Sequence, residues 1–168
     1  MAKRFAQPEN INNLSPVAYK FAIQNLPNTN WMLTSVNLPG ISLGEINHPT
    51  AFMQTQQAGN DLIFEALNVT FIVDEDLRNW REIFDWMNGL GFPDDFDQFK
   101  DWDASNNLFS DASLIILNSN MNPNYRILFT DLFPTSISEV LFDSGSTDIE
   151  IIKATATFRY LTYKYEKV

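Results

Sequence analysis

The sequence predicts a mainly β protein, an antiparallel sandwich or barrel with one α-helix packed alongside. Two observations carry this. Several segments alternate apolar and polar residues, the period of a half-buried strand. A single segment, near residue 80, has helical periodicity, and strands precede and follow it. The 168 residues suit one domain, and a 45% apolar, 14% aromatic composition is ample for a packed core.

Residues 1–15 are polar and read as an N-terminal arm. "MAKRFAQPENINN" has no apolar stretch behind its basic residues and does not read as a signal peptide. In "VAYKFAIQNL" (17–26), Val17, Tyr19, Phe21 and Ile23 share one face of a strand. "PNTN" (27–30) reads as a turn and "WMLTSVNL" (31–38) as the returning strand. Residues 40–59 are bracketed by glycines and carry one charge, Glu45, yet they hold Ile41, Leu43, Ile46, Phe52 and Met53. Pro49 forbids a helix through their middle. The segment reads as an extended arm whose apolar side chains meet another subunit. Folding back onto its own sheet is the alternative.

"LIFEALNVTFIVD" (62–74) contains a strand with Val69, Phe71 and Val73 on one face. The helix is expected over 75–89. Leu77, Trp80, Phe84 and Met87 recur at spacings of three, four and three, so they form its core stripe, with Ile83 beside them. Asp74, Glu75 and Asp76 crowd its start, where the helix dipole favours anions, and Gly89 and Gly91 offer a stop. Residues 92–110 read as an acidic loop with Phe96, Phe99 and Trp102 among five aspartates. "ASLIILNS" (112–119) and "YRILFTDLF" (125–133) are strands joined by the turn "NMNPN" (120–124), and 134–148 end in a Ser/Gly/Asp turn. Residues 149–165 form one long strand. Ile152, Ala154, Ala156, Phe158 and Tyr160 lie on one face, and Lys153, Thr155, Thr157 and Arg159 on the other.

Chemistry is not encoded in any familiar form. The chain lacks GxSxG, HExxH and GxxxxGK[ST], so no catalytic or cofactor-binding residue is assigned and an enzyme is not expected. With no cysteine and one histidine, His48, which reads as a turn residue, no metal cluster is built. The aspartates of 94–103 lack the central glycine and terminal glutamate of an EF-hand loop. No apolar run is long enough to span a bilayer. A net charge of −10, with 11 basic against 21 acidic residues, does not supply the cationic patch that grips nucleic acid.

"VNLPGISLGEI" followed by "AGNDLIFEALNVTFIVDEDLRNWREIFDWMNGL" resembles the tail tube proteins of contractile-tailed, T-even-like bacteriophages. The shared pattern comprises a Leu38-Pro39-Gly40 turn, an arm closing at Gly59, Phe64, an alternating strand, an acidic helix start and Trp86. In "DLFPTSISEVLFD" it continues with Phe133, Pro134 and Thr135. The resemblance covers residues 17–166, while the N-terminal arm and loop 92–110 lie outside the pattern. It implies a fold shared with type six secretion tube proteins. Six subunits would form a ring, and rings would stack into a hollow tube inside a sheath protein, with baseplate and neck tube proteins at the ends. Genomic DNA would pass without specific binding along a bore of net negative charge, with no membrane contact. The tube would be assembled in the host cytoplasm and reside in the virion. Length without an added domain favours the main tube subunit. The alternatives are a tube initiator or terminator at the baseplate or neck, and a monomeric β-sandwich binding module using Phe96, Phe99 and Trp102.

Overall fold

The computed structural model describes residues 11–49, 52–91, 108–145 and 150–168. Most of the expected acidic loop, with Phe96, Phe99 and Trp102, therefore lies outside the described residues, as does the first part of the N-terminal arm. The nine described strands are β1 (Tyr19–Ile23), β2 (Leu33–Val36), β3 (Ile41–Pro49), β4 (Gln54–Phe64), β5 (Leu67–Ile72), β6 (Ser110–Leu117), β7 (Pro123–Ile137), β8 (Lys153–Arg159) and β9 (Thr162–Lys167). Among the described residues two helices accompany them, α1 (Pro27–Trp31) and α2 (Arg78–Gly91).

Seven strands form one antiparallel array in the order β1-β6-β7-β8-β5-β2, with β9 also on β7; among the described residues β3 and β4 pair only with each other. The long β7 joins two layers. Its first half pairs with β6 and β9, and its second half with β8. The bend falls at Asp131, whose φ is 54. Opposite it, the expected single strand 149–165 breaks between β8 and β9, at Tyr160 and Leu161. Pro134 sits within β7 without disrupting the array, because β6 begins opposite Leu132 and no ladder on that side needs its missing N–H.

The two layers enclose Phe21, Ile23, Leu67, Val69, Phe71, Leu114, Ile127, Phe129, Ala154, Ala156 and Phe158. The alternation expected for β5 and β8 faces this core, as do Tyr19, Phe21 and Ile23 of β1, whereas Val17 precedes that strand and is exposed, with Ala18 buried in its place. Ile152 alone of its expected face remains 38% exposed.

"PNTN" is not a hairpin turn. Pro27 opens the one-turn helix α1, where a missing N–H costs nothing. The Asn30 side chain accepts from Ile23 N at 2.9 Å and donates to Ile23 O at 2.8 Å. This amide closes β1 in place of a returning strand. β1 then pairs with β6, and β2 with β5.

The helix buries a different stripe from the one expected. Leu77 precedes α2 with φ 55 and is 38% exposed, and Phe84 is 41% exposed, stacked on Trp80 at 5.3 Å. Trp80 and Met87 are half-buried, while Asn79, Ile83, Trp86 and Gly89 are buried. The stripe Asn79–Ile83–Trp86–Leu90 has spacings of four, three and four, so it is as helical as the expected one. Its first member is polar, which hides it from a hydrophobic count. Asn79 is satisfied inside: it donates to Ile72 O at 2.6 Å and accepts from Trp80 N at 2.8 Å. Trp86 meets Phe158 at 6.3 Å and donates from Nε1 to Leu108 O.

Trp86→Ala should cost about 3–5 kcal/mol through lost burial and a cavity. Phe84→Ala should cost about 1 kcal/mol, because it leaves no enclosed void. Urea midpoints of the two variants check this ranking.

Candidate assembly interface

The glycine-bracketed segment folds as a two-stranded hairpin of β3 and β4 that stands apart from the main array. His48 is a strand residue opposite Thr55, not a turn residue, and Pro49 ends β3 opposite Gln54. The pairing slips between Leu43 and Glu45. Leu43 faces Leu62, but Glu45 faces Ala58, so β4 carries two extra residues at a bulge. Gly59 sits there because a Cβ would lie 2.6 Å from the Gly44 carbonyl oxygen.

All five residues expected at the interface, Ile41, Leu43, Ile46, Phe52 and Met53, are exposed in the isolated chain. Phe52, beside the tip, is fully exposed. Leu62 and Ile63 join them, which the sequence reading did not single out. Directly opposed residues share a face. Ile41 and Leu43 with Phe64 and Leu62 therefore occupy one face near the base, and Ile63 the other. Near the base both faces carry apolar side chains, while Asn47, His48, Thr55, Gln56 and Gln57 make most of the outer pairs polar. Two strands have no interior, and an isolated hairpin is marginally stable in water at best. Fully burying one such side chain is worth about 1.5–3 kcal/mol, so covering the hairpin offers several times that.

The base is fixed by aromatic residues. Phe64 makes edge contacts with Tyr160 and Tyr163 at 6.1 and 5.5 Å, and both tyrosines meet Phe129. The tyrosine hydroxyls bind the backbone on the two sides of the hairpin. Tyr160 donates to Glu65 O at 2.9 Å and Tyr163 to Pro39 O at 3.3 Å. Arg159 donates to Phe64 O at 3.2 Å, and Glu65 N to Gly40 O at 3.0 Å. Burial, reinforced by Tyr163 and Glu65 against the opposing pull of Arg159, pushes the Tyr160 phenol up to about 12.

The family-pattern residues cluster partly here. Pro39 is buried beside Tyr163, Gly40 leaves space for the Glu65 carboxylate, and Phe64 belongs to the aromatic group, while Leu38 is exposed. Trp86 and Pro134 are buried away from the hairpin, Phe133 packs on Phe109, and Thr135 donates to Thr157 O. The aromatic run of the final strand signalled Tyr160 and Tyr163, but not what they would hold.

The outer face of β8 has Thr155 and Thr157 between Lys153 and Arg159. Thr155 lies 3.2 Å from Thr70 Oγ1, and Thr157 donates to Asn68 Oδ1. The centre of this face is neutral and hydroxyl-rich, with basic ends.

A raised phenol pKa means that the fold prefers the neutral form. That contribution is complete below about pH 10 and is lost as pH rises through about 12. Tyr160→Phe should cost about 1 kcal/mol at neutral pH through its lost hydrogen bond. It should also flatten the alkaline loss of stability. Urea midpoints of both proteins across that pH range check this.

Comparison with known proteins adds a family. Residues 4–166 match the family model described as phage tail tube protein, including most of the arm and the loop outside the resembling pattern. The tail tube terminator protein of Enterobacteria phage T4 is 27% identical over 147 residues, covering 79% of this chain and 76% of that protein. Among solved structures, the anti-feeding prophage tube terminating cap matches with a TM-score of 0.64 at 15% identity over 100% of both chains. The sheath/tube terminator of the PVC extracellular contractile injection system matches at 0.64 and 17%, over 94% of this chain and 99% of that one. The PVC sheath-tube complex matches at 0.60 and 17%, over 91% of each. At these identities the structures speak for a shared fold.

Proposed function

Because the chain belongs to the phage tail tube protein family, we propose that it is a structural subunit that forms a ring closing the end of a tail tube. Similarity to a tail tube terminator over most of both chains carries the choice of position. Length alone had favoured the main tube subunit; this relative favours the alternative. The ring holds six copies, as the resemblance implies, and lies in the virion tail, with sheath components outside and DNA passing through its bore without specific binding.

The hairpin supports assembly as its role. It is held by its base and exposes apolar side chains there, at Ile41, Leu43, Leu62 and Ile63, and again at Phe52 beside its tip. A subunit whose neighbour covers this surface closes a head-to-tail ring. The family is one of structural tail components, and the hairpin presents no arrangement of catalytic groups.

Purified protein viewed by negative stain should show rings and no long tubes, and adding it to growing tubes of the main subunit should stop elongation. Long tubes from this chain alone would assign it as the main subunit. Monomers at every concentration would favour a binding module.

Replacing Phe52 and Met53 by Asp should leave the monomer folded and abolish rings, since burying an unpaired charge costs several kcal/mol. Native mass with circular dichroism reads both outcomes. Loss of monomer folding would show that the tip belongs to the chain's own core.

A further inference from the structure

At the end of β5 opposite the hairpin, a pocket of about 340 Å³ opens between that strand, the start of α2 and the residues leading into β8. Val73, Leu77, Phe142 and Ile152 line it, with two carboxylates, Asp74 and Glu75. Val73 N donates to Ile152 O at 3.0 Å and holds two of its sides together. Leu77 has a φ of 55, in the left-handed region. A leucine stays there only where its surroundings hold it, and such residues gather at ligand sites. Phe142 lines the pocket yet is 75% exposed, so its apolar surface is uncovered. The carboxylates lack cations. Arg78 is taken by Asp76 at 2.7 Å, Lys153 stands on the outer face of β8, and neither Asp74 nor Glu75 enters an ion pair among the described residues. The pocket therefore suits an apolar group flanked by positive charge. Its volume is at the small end for ligand pockets, enough for one large side chain.

We propose that its occupant is residues 3–5 of the same chain. Lys3 and Arg4 are the only adjacent cations in the sequence, and Phe5 follows them directly. Phe5 fills the apolar part of the pocket, and Lys3 and Arg4 meet Asp74 and Glu75. Two positive charges thus answer two negative ones across the contact. The reach suffices. Pro16 and Trp31 line one cleft, Met32 O accepts from Ile72 N at 2.9 Å, and Val73 begins the pocket. The path from Pro16 crosses that cleft and one strand pair, and the eleven residues from Phe5 to Pro16 extend up to about 36 Å. The docked arm ties the start of α2 to the segment that follows β7. The inference does not depend on ring assembly, because arm and pocket belong to one subunit.

The chain has no cysteine, so introduced thiols report without background. Ala6→Cys lies beside the docking residues, and Leu141→Cys replaces an exposed neighbour of Phe142. With a short bis-maleimide, A6C/L141C should link within single chains, read as a joined peptide pair at monomer mass. The reference is A6C/S119C. Ser119 lies two residues past Leu117, whose N–H binds Ala18 O at 2.9 Å, so an undirected arm reaches it at least as readily. Docking should make the Leu141 pair link about tenfold faster than the Ser119 pair, through its raised effective concentration. Lys3→Glu with Arg4→Glu should bring the two rates together, and so should Phe5→Ser. Equal rates with the arm otherwise unchanged, or a preference that survives both sets of changes, would overturn the docking. Links that form only between chains would overturn the same chain as the source of the arm.

Discussion

A two-stranded sheet with apolar side chains on both faces has nowhere to hide them, and most of this molecule's organisation follows from that. In a larger sheet, one face turns to a core. Here, among the described residues, β3 and β4 pair only with each other, and Ile41, Leu43, Leu62 and Ile63 stay about half exposed. The chain does not shorten or neutralise the element. It holds the element's root rigidly through two tyrosine hydroxyls, one for each flanking backbone segment, and through packing of Phe64 among Tyr160, Tyr163 and Phe129. An ordered root lowers the conformational entropy lost when the outer part meets a partner. The bulge at Gly44 and Gly59 serves the same end, since strand pairing beyond it follows a fixed new register.

The root stands where it does because of the bend in the β7 and β8–β9 ribbon. A straight ribbon would give one flat layer. The bend at Asp131, opposite the break at Tyr160 and Leu161, folds the array into two layers and brings Tyr160 and Tyr163 together on the Phe129 side of the core. The element that makes the sandwich thus also makes the hairpin's socket. Core packing and interface geometry are therefore coupled: loosening Phe129 or Phe158 would disturb both.

How much of this could be read in the sequence depended on where each segment finds its partners. β5 and β8 were legible because each is half-buried within its own chain, so period-two alternation reports them directly. The helix was legible as a helix but not in its orientation, because a buried Asn79 begins the true stripe and its value lies in hydrogen bonds that a hydrophobic count does not see. The hairpin failed as a strand prediction for the opposite reason. Its apolar residues satisfy no intrachain face, so their spacing obeys no single period. What remained legible was their exposure: an apolar, nearly uncharged segment without a helical or strand pattern pointed outward. Its socket was not legible, because Tyr163 lies 124 residues from Pro39, and only the folded ribbon brings them together.

Ring closure and tube growth make separate demands on such a subunit. Lateral contacts need a donor and an acceptor surface on one chain. Axial growth needs two further complementary surfaces, one for each side of the ring. A subunit that keeps the lateral pair and one axial surface forms a ring, docks on a tube and stops it. Such a subunit needs the same sandwich, hairpin and socket as one that propagates, so a shared fold does not distinguish the two roles. The difference must lie in the residues that would meet a neighbouring ring, where single charges suffice to forbid stacking because an unpaired charge is costly to bury. A net charge of −10 is ample for a subunit of this kind to make one axial face repel the next ring.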